Sequence, residues 1–368
     1  MKDAYRFARR GIMGMPSYTP GKPIEEMQRE YNLTHIVKLA SNENPLRTSP
    51  LVLAAMKQEL ENCFMYPESS SPCVRRALGE KLSYPAENIV VANGGDQVIS
   101  LICQAFLDEG DEAVVGDPSF GIYHQNILIM GARIVSVPLK ALTFDLDAIL
   151  RAVTEKTKLI FFCNPNNPTS TIVPKDEVER FMVRVPEHCI VVFDEAYFEY
   201  VDDPAYGDGM DYVKAGRNVV VLRTFSKAYG LAGCRVGYAV APDHLIQALL
   251  RVMPAFPVNR VAQAGATAAL GDTAFVEASK RLNSEGRAYL SNAFAKLGMP
   301  CAKPHANFVF ADTLMDAAKV YEALLRRGII VRPGTMWGFH TSLRVSVGTM
   351  DENRAFVAAL KEIVEKGV

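Results

Sequence analysis

Val219-Val-Val-Leu-Arg-Thr-Phe-Ser-Lys227 is an apolar run that stops abruptly at a polar cluster, and the same arrangement recurs along the first two thirds of the chain. Ile89-Val-Val-Ala92 gives way to Asn-Gly-Gly-Asp96, and Ala113-Val-Val115 to Gly-Asp-Pro118. Leu159-Ile-Phe-Phe-Cys163 runs into Asn-Pro-Asn-Asn-Pro168, and Ile190-Val-Val-Phe193 into Asp194-Glu195. Continuous, short runs rich in β-branched residues predict strands buried on both faces. Between them, 96–107 places Val98, Ile99, Ile102 and Phe106 near helical spacing, and 146–153 and 178–185 behave similarly. Strands alternating with helices predict an α/β fold with a mostly parallel sheet. In such sheets ligands bind beyond the carboxyl ends of the strands, the edge to which all five runs deliver polar side chains.

The pattern changes after about residue 243. Helical material is expected over 245–250 and 262–290, followed by the short runs Phe308-Val-Phe310, Ile329-Ile-Val331 and Leu343-Arg-Val-Ser-Val347. A last helix opens with the capping box Thr349-x-x-Glu352 and shows Phe356, Leu360 and Ile363 on one face. A chain of 368 residues is too long for one core. The expected organisation is an N-terminal arm over 1–44 that packs with the smaller unit, a large α/β domain over 45–243, and a small α+β domain over 244–368.

Composition excludes several classes. A net charge of −1 lacks the clustered basic excess of a nucleic-acid binder. The seven cysteines are odd in number and form no CxxC, which predicts buried free thiols in a reducing compartment rather than disulfides. The six histidines are scattered, so no metal site is expected. Lys2, Arg6, Arg9 and Arg10 precede no apolar core of signal-peptide length, and no run approaches a membrane span. A cytoplasmic enzyme with a small-molecule substrate, without nucleic acid or membrane as partner, is the expectation.

Lys227, just past a buried strand, sits where desolvation lowers an amine's pKa and makes it nucleophilic. Thr224 and Ser226 add hydroxyls, Arg235 a bidentate oxyanion donor, and the glycines close backbone approach, so the segment suits a phosphate beside an imine-forming lysine. A plain strand-to-loop turn with a solvated lysine is the competing reading. Asp194, after four apolar residues, needs a cation or a donor; a protonated pyridine nitrogen is one such partner, a helix cap or a structural arginine another. Tyr197 either donates to a phenolate oxygen or packs. Asn167, in a proline-stiffened turn, either donates to an oxyanion or simply shapes that turn. Gly95 and Asp96 open a helix whose first N–H groups suit phosphate. Phe120 either stacks on a ring or fills the core. Gly21-Lys22 is followed by Pro23, which rules out a P-loop, and no GxGxxG follows a strand. Five complementary signals on successive strand ends outweigh the plain reading of each.

In order and spacing these segments resemble the fold-type I aminotransferases, and among them the histidinol-phosphate aminotransferase subfamily. The likeness runs from Tyr18-Thr-Pro-Gly-Lys-Pro23 to Leu343-Arg-Val-Ser-Val-Gly348. It is closest at Lys38-Leu-Ala-Ser-Asn-Glu-Asn-Pro45, Tyr66-Pro67, 164–169, Asp194-Glu-Ala-Tyr197 and Ser226-Lys227. The resemblance implies pyridoxal 5′-phosphate as cofactor, bound covalently by Lys227, which also moves the proton. It implies that Asp194 holds the pyridine nitrogen protonated, that Asn167 and Tyr197 contact the phenolic oxygen, and that Phe120 stacks on the ring. Gly95, Asp96, Thr224, Ser226 and Arg235 would surround the phosphate, joined by Tyr66 of a neighbouring subunit in a homodimer. Arg344 would take the α-carboxylate, and Tyr18, Asn44 and Arg332 would line the substrate pocket. The expected reaction exchanges an amino group between L-histidinol phosphate and 2-oxoglutarate. An aromatic amino-acid aminotransferase and a phosphothreonine decarboxylase on the same scaffold are the alternatives; a cofactor-binding regulator would need a DNA-binding domain. Three departures stand out: Ser170 where the family has glycine, Arg47 in the segment after Asn-Glu-Asn-Pro, and Arg260 where a small residue is usual. The first is expected to bend its turn differently, the other two to alter the substrate pocket.

Overall fold

The apolar runs become strands of one large sheet. The computed structural model describes residues 35–367 and, ahead of them, 7, 9, 12, 13, 15, 28–30 and 33. In chain order the strands are β1 (Val37–Lys38), β2 (Ile89–Ala92), β3 (Glu112–Asp117), β4 (Arg133–Pro138), β5 (Thr157–Cys163) and β6 (Ile190–Asp194). They continue with β7 (Val219–Thr224), β8 (Gly237–Val240), β9 (Phe308–Asp312), β10 (Ile329–Ile330), β11 (Arg332–Pro333) and β12 (Ser342–Ser346). Seven form a sheet of order β2-β8-β7-β6-β5-β3-β4. It is parallel from β7 to β4, whereas β8 runs antiparallel to both neighbours. Because β8 is reversed between them, β2 and β7 point the same way. The carboxyl ends of β2, β3, β5, β6 and β7 therefore share one edge, with the start of β8 among them. All residues of β2 and β7 are buried, as expected of strands covered on both faces.

The sequence reading missed β4 and β8. The first is the edge strand, with Arg133 and Pro138 exposed, so it lacks an uninterrupted apolar run. The second has four residues and begins at Gly237, where a Cβ would stand 2.6 Å from the backbone of Gly94 and Gly95. Only glycine permits that approach. The helix expected over 262–290 is two helices, Arg260–Gly271 and Thr273–Lys296. Asp272 breaks them and caps the second by accepting from the Phe275 N–H at 3.1 Å. The capping box of Met350–Lys366 forms, with Glu352 N–H donating to Thr349 Oγ1 and Thr349 N–H to Glu352 Oε2.

Two main cores result. The larger covers the seven-stranded sheet and takes in Val52 through Val276, including Leu245, Ile246 and Leu249 of the helix Asp243–Val252. The other gathers Val37 and Leu39 with Leu290 through Ile363 around the sheet β11-β12-β9. The change of core thus falls inside the helix Thr273–Lys296, beyond residue 244. Cys103, Cys163 and Cys189 are buried free thiols, but Cys63 and Cys73, on the helical layer, are exposed. Among the described residues no helix is long and apolar enough to cross a membrane.

Arg223 on β7 anchors the large core electrostatically. Its Nε and Nη2 donate to Glu195 Oε2 at 2.9 and 2.7 Å, and Nη2 also reaches Asp208 Oδ1 at 2.6 Å. Its guanidinium carbon lies 3.6 Å from the centroid of the Phe198 ring. Burial pushes Glu195 up to about 7 despite the neighbouring guanidinium. Arg223→Met strands that carboxyl and is expected to cost about 3–5 kcal/mol in urea unfolding. Adding Glu195→Gln should recover part of the loss; an additive double variant would show that the two residues do not act as a pair.

Candidate active site

Lys227 lies in the turn after β7, with its Nζ donating to the Ser41 carbonyl at 3.2 Å and standing 5.7 Å from the Tyr197 ring centroid. Burial, reinforced by the positive charge of Arg344, pushes its pKa down to about 8. Near that pH a large share of the amine is neutral and nucleophilic. Asn44 secures this turn: its Nδ2 donates to the carbonyls of Ala228 at 3.0 Å and Lys227 at 3.3 Å and to Ser279 Oγ at 2.7 Å, while its Oδ1 accepts from the Leu46 N–H. The NH2 end of Asn44, expected to line the substrate pocket, thus holds the lysine turn, while its oxygen braces its own loop at Leu46.

Asp194 ends β6 and is buried. One oxygen accepts from the Tyr123 hydroxyl at 2.5 Å and the other from the Ala196 N–H at 3.1 Å. Both donors are neutral, and among the described residues the carboxyl has no salt-bridge partner. Burial pushes its pKa up to about 6, with the Tyr123 and Ala196 bonds pulling it back. Tyr123 escaped the sequence reading. It sits on the helix Ile122–Met130, fully buried and stacked on Phe161 with centroids 4.6 Å apart. Its one signal was an aromatic hydroxyl three residues after Phe120, whose half-buried ring meets Tyr123 edge-on at 5.7 Å.

Tyr197 is held from the opposite side. Its hydroxyl accepts from Asn42 Nδ2 at 3.1 Å, its ring meets Phe308 edge-on, and burial raises its phenol pKa. Asn42 is itself braced by Ser346 on β12 through two hydrogen bonds, and was not foreseen as part of the site. Asn167, in the loop after β5, accepts from Arg344 Nη1 at 2.5 Å. The Arg344 guanidinium also donates to the Ala40 carbonyl and stands 5.3 and 5.2 Å from the ring centroids of Phe308 and Trp337. Arg332 on β11 is its cross-strand partner, so both arginines project from one face of that sheet. Arg332 donates to Met336 Sδ at 3.5 Å, leaves its buried Nε without a partner, and has no carboxylate partner among the described residues.

A third group of donors surrounds the start of the thirteen-residue helix Gly94–Phe106, whose N-cap Asn93 makes no side-chain cap bond. Gly94 is left-handed (φ +82°), and a Cβ there would collide with the Arg235 guanidinium. Arg235 pairs with Asp96 at 3.2 Å and reaches Ser226 Oγ at 3.5 Å, while Thr224 Oγ1 donates to Ser226 Oγ at 3.0 Å. Helix-start N–H groups of Gly95 and Asp96, two hydroxyls and a guanidinium form a cradle for a dianion.

Tyr66 stands apart from these groups, 78% exposed and stacked on Phe256 at 4.6 Å. Arg260, expected to alter the substrate pocket, pairs with Glu59 at 2.6 Å and donates to the Tyr66 carbonyl at 3.2 Å, bracing the Tyr66 loop. Arg47 is exposed in a left-handed conformation (φ +66°). Tyr18 lies outside the described residues.

The Asp194 carboxyl, raised from 3.8 to about 6 in the fold, stabilises it only while protonated. That contribution is complete below pH 3.8 and lost as pH rises through 6. Ligand-free Asp194→Asn, with the Tyr123 hydroxyl turned to accept from the amide, should be about 2–3 kcal/mol more stable than the parent at pH 8. The two should match near pH 4. Thermal unfolding at both pH values measures this, and equal midpoints at pH 8 would refute the assigned burial cost.

The description "Aminotransferase class I and II" matches residues 34–360. The histidinol-phosphate aminotransferase of Moorella thermoacetica is 44% identical over 357 residues, covering 97% of this chain and 92% of that protein. Among solved structures, the histidinol-phosphate aminotransferase of Sinorhizobium meliloti in complex with pyridoxal-5′-phosphate superposes with a TM-score of 0.91 at 27% identity, all of both chains being covered. A double mutant of Thermus thermophilus aspartate aminotransferase reaches 0.85 at 26% identity, over 98% of this chain and 99% of that one. With the match spanning nearly the whole chain and every strand from β1 to β12, the chain belongs to the class I and II aminotransferases.

Proposed function

We propose that the chain is a pyridoxal-5′-phosphate transaminase that exchanges an amino group between L-histidinol phosphate and 2-oxoglutarate. The residues fit the cofactor. Among the described residues the buried Asp194 carboxyl has neutral donors and no ion-pair partner, which a protonated ring nitrogen would supply. The cradle of Gly95, Asp96, Thr224, Ser226 and Arg235 suits its phosphate, and the neutral amine of Lys227 suits its aldehyde. When bound, the cofactor supplies an electron sink for negative charge at the carbon beside the amine.

The chain's own groups then divide the work. Asp194 would keep the ring nitrogen protonated, Phe120 would pack on the ring, and Tyr197 and Asn167 would donate to its phenolic oxygen. With its oxygen engaged by Arg344, Asn167 has its NH2 end to offer. Lys227 moves the proton, its lowered pKa allowing it to act as base and acid near neutrality. Arg344 receives the carboxylate of the glutamate that 2-oxoglutarate becomes.

The choice of donor rests on Arg332. The fold is shared with an aspartate aminotransferase, so it does not by itself select the substrate. Arg332 stands beside Arg344 with no carboxylate partner among the described residues and a buried Nε unsatisfied. A donor carrying a phosphate would satisfy it; an aromatic side chain would leave it unpaired, at about 1–3 kcal/mol. Arg332→Ala is expected to lower kcat/KM for histidinol phosphate by about tenfold to a hundredfold and to spare phenylalanine and tyrosine. A parent enzyme that prefers phenylalanine, or a variant of unchanged selectivity, would instead favour the aromatic reading.

We also propose a cytoplasmic homodimer. Leu60, Phe64, Met65, Tyr66 and Phe256 leave an apolar surface exposed around the braced Tyr66 loop, suited to a second copy. Tyr66 would then reach the partner's phosphate cradle. Inactive Tyr66→Ala and Lys227→Ala subunits, mixed, should regain one working site per heterodimer; verified heterodimers without activity would refute shared sites.

A further inference from the structure

Ser170 closes the turn that carries Asn167, in a left-handed backbone conformation (φ +63°) that disfavours a side chain. Its buried hydroxyl offsets this by accepting from the Ala306 N–H at 2.9 Å and the His305 N–H at 3.0 Å. The His305 N–H also reaches the Ser170 carbonyl at 2.8 Å, so the group that depends on the hydroxyl is the N–H of Ala306, which is fully buried. His305 and Ala306 lead directly into β9, whose Phe310 lies opposite Arg344 of β12. From the same turn as Ser170, Asn167 reaches across to Arg344. The contacts therefore form a ring: Ser170 to Ala306, along β9, across to Arg344, to Asn167 and back along the turn.

We infer that Ser170 is a positioning residue whose hydroxyl ties the Asn167 turn to the second sheet and so sets the place of Arg344 before substrate arrives. Of the three departures from the family pattern, it is the one that spans the two cores. The effect on binding rests on Arg344 as the carboxylate seat proposed above; the tie itself does not.

The test uses the holoenzyme and Ser170→Gly, which removes the hydroxyl and relieves the backbone, with Ser170→Ala as a companion that removes the hydroxyl alone. Glutarate, a dicarboxylate with no amine, is the probe. Its binding is followed by fluorescence of the chain's one tryptophan, Trp337, which lies 5.2 Å from the Arg344 guanidinium. Amide hydrogen exchange reports on Ala306. Both variants should exchange the Ala306 amide about tenfold faster and bind glutarate about fivefold more weakly, with kcat changed less than KM. Unchanged exchange would overturn the tie, and unchanged glutarate affinity its role in placing Arg344. Arg344→Lys separates the two readings: if it binds glutarate like the parent, the carboxylate seat is wrong, and the exchange rate alone decides the tie.

Discussion

A buried carboxyl with no ion-pair partner among the described residues is the constraint around which this structure is arranged. Asp194 ends β6, inside the sheet between β5 and β7, and its neighbour in sequence, Glu195, is equally buried. The two acids meet opposite environments. Glu195 has Arg223 built in beside it, and that pair, with Asp208 and the Phe198 ring, belongs to the core. Among the described residues Asp194 is hydrogen-bonded only by a phenol and an amide N–H, so its charge is tolerated in the free protein at a raised pKa. A cationic group on a ligand would supply the partner that carboxyl lacks among the described residues.

The rest of the site is complementary to that arrangement. β5 and β7, the strands beside β6, deliver Asn167 and Lys227 to the same edge, and β2 delivers the helix start that faces Arg235. Lys227 is pushed towards neutrality by burial and by Arg344, the change an attacking amine requires. Arg344 and Arg332 set two guanidinium groups side by side although the chain carries a net charge of −1. Such focusing attracts phosphate and carboxylate groups irrespective of overall charge.

The second sheet contributes position. Arg344 and Arg332 are useful only at the right distance from Lys227, and nothing covalent sets that distance. Asn42 links Tyr197 to Ser346, Asn167 links its loop to Arg344, and Ser170 links the same loop to the segment before β9. These bonds lie in buried surroundings, where an unmade bond is costly, so each helps to hold the two cores in register.

Much of this was legible in the chain itself. Strand ends were readable because a two-sided buried strand must be continuously apolar and must stop where polar groups begin, which placed Asn167, Asp194 and Lys227 on one edge. The capping box of the last helix was readable for the same reason: its partners are three residues apart. Tertiary structure decided what depends on side-chain direction across long separations. Asn42 and Asn44 belong to one motif, yet one serves Tyr197 and the other the lysine turn. Arg260 braces Tyr66 from 194 residues away, and Tyr123 joins Asp194 from 71 residues away. Arg344 meets Asn167 across 177 residues. Local pattern determines which element forms and where it ends; packing determines which group each side chain meets, because only the assembled cores set its direction and its distance from a partner.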